Sequence, residues 1–442
     1  MTSQFFGQFV LIRVYVTVRN RVQSRNLSKI KKVNKLDFSA KLKNMENLTD
    51  ENVGELSQTA ATQVIAKTQT SLTVLQNLGP FLTDKNLGKR KIGLNFLSQF
   101  LSHLPANFCD FQECEVFAKF YEDRINDHHS LIPAIICGIE ALIKFDNLRG
   151  SNQNSLIRQF FSQIHVQSQI LHDRRRIFAI FQVLLSTDWK LQCLKDLGSE
   201  LVLIFIQAVD AEKDPQNMKV IFNLWPVILT AFKLEPFEED VFEAMSCYFP
   251  IDFSPPKGTE IVVSKEDLVL GLRKCLSTSG IFAPLALPLF MEKLDSEISD
   301  AKIDANLTMI QCLKIYTPEQ LQLHLESLWE LLKKEILGIR MNTNEEVILT
   351  SHQVIHQVTM TLATADPNPE NSEILDKWLN MIWNDTGRHL KDIELKFMSL
   401  SVDILVDVIS CQKETPGAFM LEKALPILLQ IFSQNEAKKV HN

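Results

Sequence analysis

At 442 residues the chain is long enough for several domains or for one extended repeat array, and its net charge of −7 argues against non-specific binding to DNA. Its 14 glycines fall well below the usual share of about 7%, which disfavours an all-β or loop-rich design and points to helices. No apolar run approaches the ~20 residues that a membrane span needs. The eight cysteines are scattered with no Cys-x-x-Cys pair, and most sit in apolar helical runs as small hydrophobes. That pattern fits a reducing compartment and no disulfide framework.

The charge is unevenly spread. Residues 1–44 carry ten Lys or Arg and one acid, Asp37, which leaves −16 over the remainder of a chain whose total is −7. This basic stretch has three readings: an organelle leader, a nucleic-acid-binding arm, or a disordered extension. The switch in composition at Met45 favours the last. Residues 45–442 then form one organisational unit, and an acidic array of this kind suits basic protein surfaces.

In chain order, residues 60–82 read as one helix ending near Gly79–Pro80, and 86–104 as its partner, stopped by Pro105. Residues 113–123 and 131–145 make the next hairpin, with Asp127 or Ser130 placed to cap its second helix and Pro133 in the first turn. Pairs follow at 153–165 with 173–186, and at 197–209 with 216–232. Residues 248–256, YFPIDFSPP, break the pattern, because Pro250, Pro255 and Pro256 each bias the preceding residue to extended geometry. Phe249, Ile251 and Phe253 are expected to pack inward, and Ser264 to cap the helix that resumes at Lys265.

The stretch 282–316 organises the rest. FAPLALPLFMEKL is apolar on nearly every side and must be wedged between neighbours, with Pro284 and Pro288 fitting a bent helix. After DSEIS comes a segment in which Ile303, Leu307, Ile310 and Leu313 recur at helical spacing. Such a hairpin cannot bury itself, so others must stack on it. The acidic turns EDRIND (122–127), DAEKD (210–214) and DSEISD (295–300) recur at intervals of 87 and 85 residues, each room for two repeats of about 40–47 residues. The fold class is therefore all-α, a HEAT-repeat α-solenoid of stacked antiparallel helix pairs. Beyond Tyr316, a helix pair spans 318–362 and another follows the loop 364–372. Residues 418–432 form a last apolar helix containing Pro426, and 433–440 are expected to begin its partner. An uncovered apolar helix in that position lacks a terminal cap. It implies the N-terminal part of a longer protein and predicts aggregation or dimerisation through 418–432.

No catalytic or cofactor spacing is present: no Gly-rich phosphate loop, no Gly-x-Ser-x-Gly, no His-Glu-x-x-His. His128 and His129 should diverge and serve a helix start. His352 and His356, at i, i+4, lack a third metal ligand nearby and read as a half-exposed pair. No metal or cofactor is expected. The candidate partner surfaces are Arg174, Arg175 and Arg176, which otherwise open a solvated helix, and Asp252, Phe253, Pro255 and Pro256 of the connector.

The blocks FYEDRINDHHSLIPAIICGIEAL (120–142), IHVQSQ (164–169), FIQAVDAEKDPQN (205–217), SCYFPIDFSPP (246–256) and 266–307 together resemble the MMS-nineteen nucleotide-excision-repair homologue family, most of it over residues 60–340. That resemblance implies a non-enzymatic HEAT adaptor of the cytosolic iron–sulfur assembly targeting complex, found in cytoplasm and nucleus. Its implied partners are the other targeting subunits and apo iron–sulfur proteins such as DNA helicases, polymerases and primase, with no direct nucleic acid and no membrane. The stretch before Met45 has no counterpart in the family, and the family's C-terminal docking region does not occur in this sequence. Nuclear transport receptors and phosphatase scaffolds share the periodicity but not FPIDFSPP.

Overall fold

A computed structural model describes residues 50–254, 262–338, 344–365, 368–391, 396–411 and 413–440. The basic extension at 1–44, the boundary at Met45, and Pro255 and Pro256 lie outside the described residues. These residues form twenty α-helices, a few short 3₁₀ turns and no strand. The chain divides into two compact units, residues 1–224 with 231–233 and residues 225–230 with 234–442.

The first unit holds α1 (Asp50–Ile65), α2 (Ser71–Leu82), α3 (Leu87–Ser102), α4 (Phe111–Ile125), α5 (Ile132–Lys144), α6 (Gly150–Gln163), α7 (Leu171–Ser186), α8 (Asp188–Leu194), α9 (Ser199–Val209) and most of α10 (Pro215–Ala231). Alternate helices pack on one another. One layer runs α1, α3, α5, α7, and a second runs α4, α6, α8. Two such layers, joined by short turns, are the arrangement expected of stacked helical hairpins.

Side-chain caps set many of the boundaries. Asp110 accepts from Glu113 N–H while the Glu113 carboxylate accepts from Asp110 N–H, and Asn86 accepts from Lys89 N–H. The helix expected over 60–82 is instead two helices. Lys67 takes a left-handed conformation (φ 57°), and Thr70 restarts the chain by accepting from Thr73 N–H. Pro80 lies inside α2 rather than ending it. Neither Asp127 nor Ser130 caps α5; its N-cap position is Leu131, with no side-chain bond, and Pro133 is in the first turn. His128 instead caps the preceding 3₁₀ turn by accepting from Ser130 N–H at Nδ1. One glycine is required by close approach. A Cβ on Gly138 would lie 2.1 Å from the Tyr121 ring, whose hydroxyl meets Ser98 Oγ at 2.8 Å while Ser98 donates to Ala134 O.

The second unit holds α11 (Glu238–Ser246), α12 (Lys265–Leu276), α13 (Ala283–Asp295), α14 (Ser299–Leu313), α15 (Pro318–Gln322), α16 (Leu325–Leu337), α17 (Glu345–Thr364), α18 (Pro369–Thr386), α19 (Lys396–Ile409) and α20 (Glu414–Val440). Again two layers form: α12, α14, α17, α19 and α13, α16, α18, α20. Ser264 caps α12 in a reciprocal pair with Asp267. Phe249 and Ile251 are buried, and Phe249 meets the Phe290 ring at 5.5 Å, so the connector packs down where it is described. Residues 433–440 do not begin a partner helix; they continue α20. Leu421, Leu425, Leu428 and Leu429 of that helix are exposed.

Two expectations about the central hairpin are corrected. Helix α13 is not buried all round: Ala283, Ala286, Leu287, Phe290 and Leu294 face the core, while Pro284, Pro288 and Glu292 are exposed. Prolines on the open face leave the packed face regular. In α14, Leu313 is buried, but Ile303, Leu307 and Ile310 are only half-buried, and the deeply buried positions include Lys302, Asn306 and Thr308. The reason is polar complementarity. Lys302 Nζ donates to Glu335 Oε1 of α16 at 2.6 Å, with side-chain exposures of 5% and 8%. Asn306 Nδ2 donates to Thr350 and Ser351 of α17. Apolar spacing cannot reveal a polar face whose partners lie 33 to 45 residues away.

Cutting the buried pair on one side should cost more than removing both charges. Lys302→Met removes the buried cation paired with the Glu335 carboxylate and should destabilise the second unit by about 3–5 kcal/mol. Lys302→Met with Glu335→Leu should recover most of that in urea unfolding followed by circular dichroism. Equal loss in the single and double variants would contradict the pairing.

Candidate partner-binding surface

In the first unit, α3, α5, α7 and α10 all begin at turns that come together along one edge. Arg90, in the first turn of α3, donates to Asp84 O and Lys85 O of its own turn and to Asp127 of the next at 2.9 Å. Gln159, near the end of α6, reaches Asn126. Gln167 donates to Ala208 O. Arg174 donates to Gln169 O in its own turn and to Glu212 in the following one. Each link crosses 33 to 41 residues, which is one repeat.

The acidic turn residues point inward. Glu212, with no exposed side-chain surface, accepts both guanidinium arms of Arg174, the Asn217 amide and the N–H groups of Lys213 and Asp214. Burial pushes its carboxyl up, but the Arg174 and backbone hydrogen bonds outweigh burial and hold it below the usual glutamate range. Asp127 behaves alike. Burial opposes ionisation, while bonds from Arg90, the His128 N–H and Arg124 leave its carboxyl lowered. Asp214 accepts from Asn217 N–H and so caps the start of α10. The turn before α14 differs, for its N-cap position is Ile298 and no side chain caps it.

The candidate arginines are therefore engaged within the chain. Arg174 pairs with Glu212, Arg175 with Asp214 at 3.3 Å, and Arg176 with Glu140 at 3.8 Å. Arg175 keeps 44% of its side chain exposed. In the connector, Asp252 is exposed and Phe253 half-buried. That pair belongs to the second unit and the arginines to the first.

His128 and His129 do not diverge; their rings lie 4.1 Å apart, both exposed. His352 and His356 are half-buried, and both reach Asp407: His352 Nδ1 meets its carboxylate, and His356 Nδ1 bonds its carbonyl. Among the described residues no group of three or more His, Cys, Asp or Glu is placed to hold a metal ion. Six cysteines are buried, Cys193 is partly so, and Cys247 is exposed. The neighbouring Cys114 thiol, with burial, pushes the Cys109 thiol's ionisation far up. Sequence reasoning missed the inward bonding of the turn acids, because the arginines that hold Asp127 and Glu212 from the preceding repeat come 37 and 38 residues earlier.

Layered helical hairpins joined by ion pairs one repeat apart define a HEAT-type helical-repeat protein. Residues 75–338 match the family model described as Dos2-interacting transcription regulator of RNA-Pol-II. Its curated relatives carry the name MMS19 nucleotide excision repair protein homolog, and the chain belongs to this family. The relative from Xenopus tropicalis is 32% identical over 372 residues, covering 83% of this chain and 35% of the relative. The human relative is 32% identical over 383 residues, 86% of this chain and 36% of its own. The Drosophila melanogaster protein is 32% identical over 303 residues, 69% and 31%. The chain spans about a third of the length of the curated relatives it matches. Among solved structures, an engineered protein superposes with a TM-score of 0.38 at 10% identity, over 89% of this chain and 94% of its own.

Glu212→Ala should destabilise the first unit by about 3 kcal/mol by leaving Arg174 partly buried and unpaired. Because the Glu212 carboxyl is lowered in the folded state, its contribution is complete above about pH 5 and is lost as pH falls through the folded value. The stability gap between wild type and Glu212→Gln, measured by urea unfolding, should stay constant from neutral pH to about 5 and then shrink. A gap that widens toward acid would contradict the assignment.

Proposed function

We infer that the chain is a non-enzymatic adaptor of the cytosolic iron–sulfur assembly targeting machinery, working in cytoplasm and nucleus. It gathers apo-proteins of DNA repair and replication, such as helicases, polymerases and primase, for cluster insertion, alongside the other targeting subunits. The observation that carries this reading is membership of the repair-named family across the stacked hairpins. The physical character of the chain agrees with it. Repeat stacking generates long surfaces of turns and helix faces, which suit recognition of polypeptides. Buried, dispersed thiols suit a protein that presents clients to a cluster donor. A net charge of −7 suits protein partners better than nucleic acid.

Affinity capture of the chain from cell extract tests the reading. Iron–sulfur assembly subunits and iron–sulfur helicases should be enriched over a control solenoid. Recovery of nucleoporins with a Ran-type GTPase would contradict it and favour a transport receptor.

A further inference from the structure

The turn edge of the first unit differs in charge from the sum of the residues beyond 44. Segments 84–91, 126–130, 165–176 and 210–214 carry eight Lys or Arg and six Asp or Glu, a local excess of two positive charges in a chain whose residues beyond 44 sum to −16. The outward balance keeps that sign. Asp127, Glu212 and Asp214 are bonded by Arg90, Arg124, Arg174 and Arg175, and Asp173 is buried. What faces water is Lys85 and Lys91 on the first turn, His128 and His129 on the second, His165 and His172 on the third, and Lys213 on the fourth. Midway along the edge Ile170 is 67% and Leu171 37% exposed.

One imidazole is set up as a donor. Ser130 N–H donates to His128 Nδ1, so the proton of the neutral ring sits on Nε2, which has no partner among the described residues. His165 meets Ser168 Oγ through Nδ1. Stacked hairpins step by about 10 Å, so four turns extend over roughly 30 Å, the reach of about nine residues of extended peptide. The exposed carboxylate on this edge, Asp210, lies in the last turn.

The geometry points to this edge as a docking site for an extended acidic peptide segment of a partner protein, anchored by one apolar side chain against Ile170 and Leu171. Carboxylates along the peptide accept from His128 Nε2–H and from the ammonium groups of Lys85, Lys91 and Lys213. A nucleic acid fits less well. The four guanidinium groups that would clamp phosphates are held by carboxylates, and these segments contain no Phe, Tyr or Trp for base stacking. The inference rests on the adaptor reading for its biological use. Its test is independent of that reading, because capture of whole partners does not require this edge.

The test is fluorescence anisotropy with the full chain and a labelled glutamate-rich peptide carrying one central leucine, compared with a lysine-rich peptide and a single-stranded oligonucleotide of equal length. The acidic peptide should bind, and raising salt should weaken it as the Debye length falls below about 10 Å. The variant Ile170→Ser, His172→Glu, Lys213→Glu changes exposed side chains only and should lose about tenfold in affinity with an unchanged circular dichroism spectrum. The charge-retaining variant His172→Lys, Lys213→Arg should keep wild-type affinity or exceed it. Acidic-peptide binding that survives the triple variant comes from elsewhere, the basic segment 1–44 included, and overturns the proposal. So does an oligonucleotide that binds as tightly as the acidic peptide and is lost in the triple variant.

Discussion

The first unit depends on one kind of contact: an arginine early in one repeat gripping a carboxylate in the turn of the next. Arg174 and Glu212 are its fullest expression, with two guanidinium bonds, an amide and two backbone N–H groups converging on a carboxylate shut off from solvent. A lone buried carboxylate would be costly; one with five donors is held ionised and rigid. The same carboxylate shapes the turn through its backbone bonds and ties that turn to its neighbour. Local and inter-repeat structure are thereby fixed by a single group. Arg90 with Asp127 repeats the device two repeats earlier.

The second unit uses related means. Arg273 meets Asp304, Lys334 meets Asp295, and Lys302 meets Glu335, at separations of 31, 39 and 33 residues. Apolar packing drives the stacking, since most buried side chains are Leu, Ile, Phe and Val. Yet apolar faces of near-identical helices could slide by a turn at little cost. Buried polar pairs forbid this, because a slip would leave Lys302 or Asn306 without partners in the core. Polar contacts thus choose the register that hydrophobic burial leaves open.

Much of this was legible in the sequence, and the failures are physical. Scarce glycine, helical periodicity and the recurrence of acidic turns led to the all-α repeat fold, and helices such as 87–102 and 283–295 start within a residue or two of where caps and prolines place them. The break at residues 66–70 went unseen because Lys67 and Thr70 are ordinary residues in a polar stretch, and only the left-handed turn distinguishes them. The inner face of α14 was misplaced because burial was assigned to Ile303, Leu307 and Ile310, whereas the partners of Lys302 and Asn306 lie a repeat away. Of the candidate surface, Arg174 to Arg176 were visible as a charge run. Their inward pairing was not, since it depends on which turn of the next repeat stands opposite. Exposure of His128, His165, His172 and Ile170 along one edge follows only once the turns are aligned.

Hydrogen–deuterium exchange of Arg174→Ala against the wild-type chain tests most directly whether neighbouring repeats are held by these bridges. Amides in residues 165–224 should exchange faster, with α1–α3 and the second unit from α12 onward unchanged. Uniform acceleration through all of the described helices, or no change around Glu212, would contradict the account.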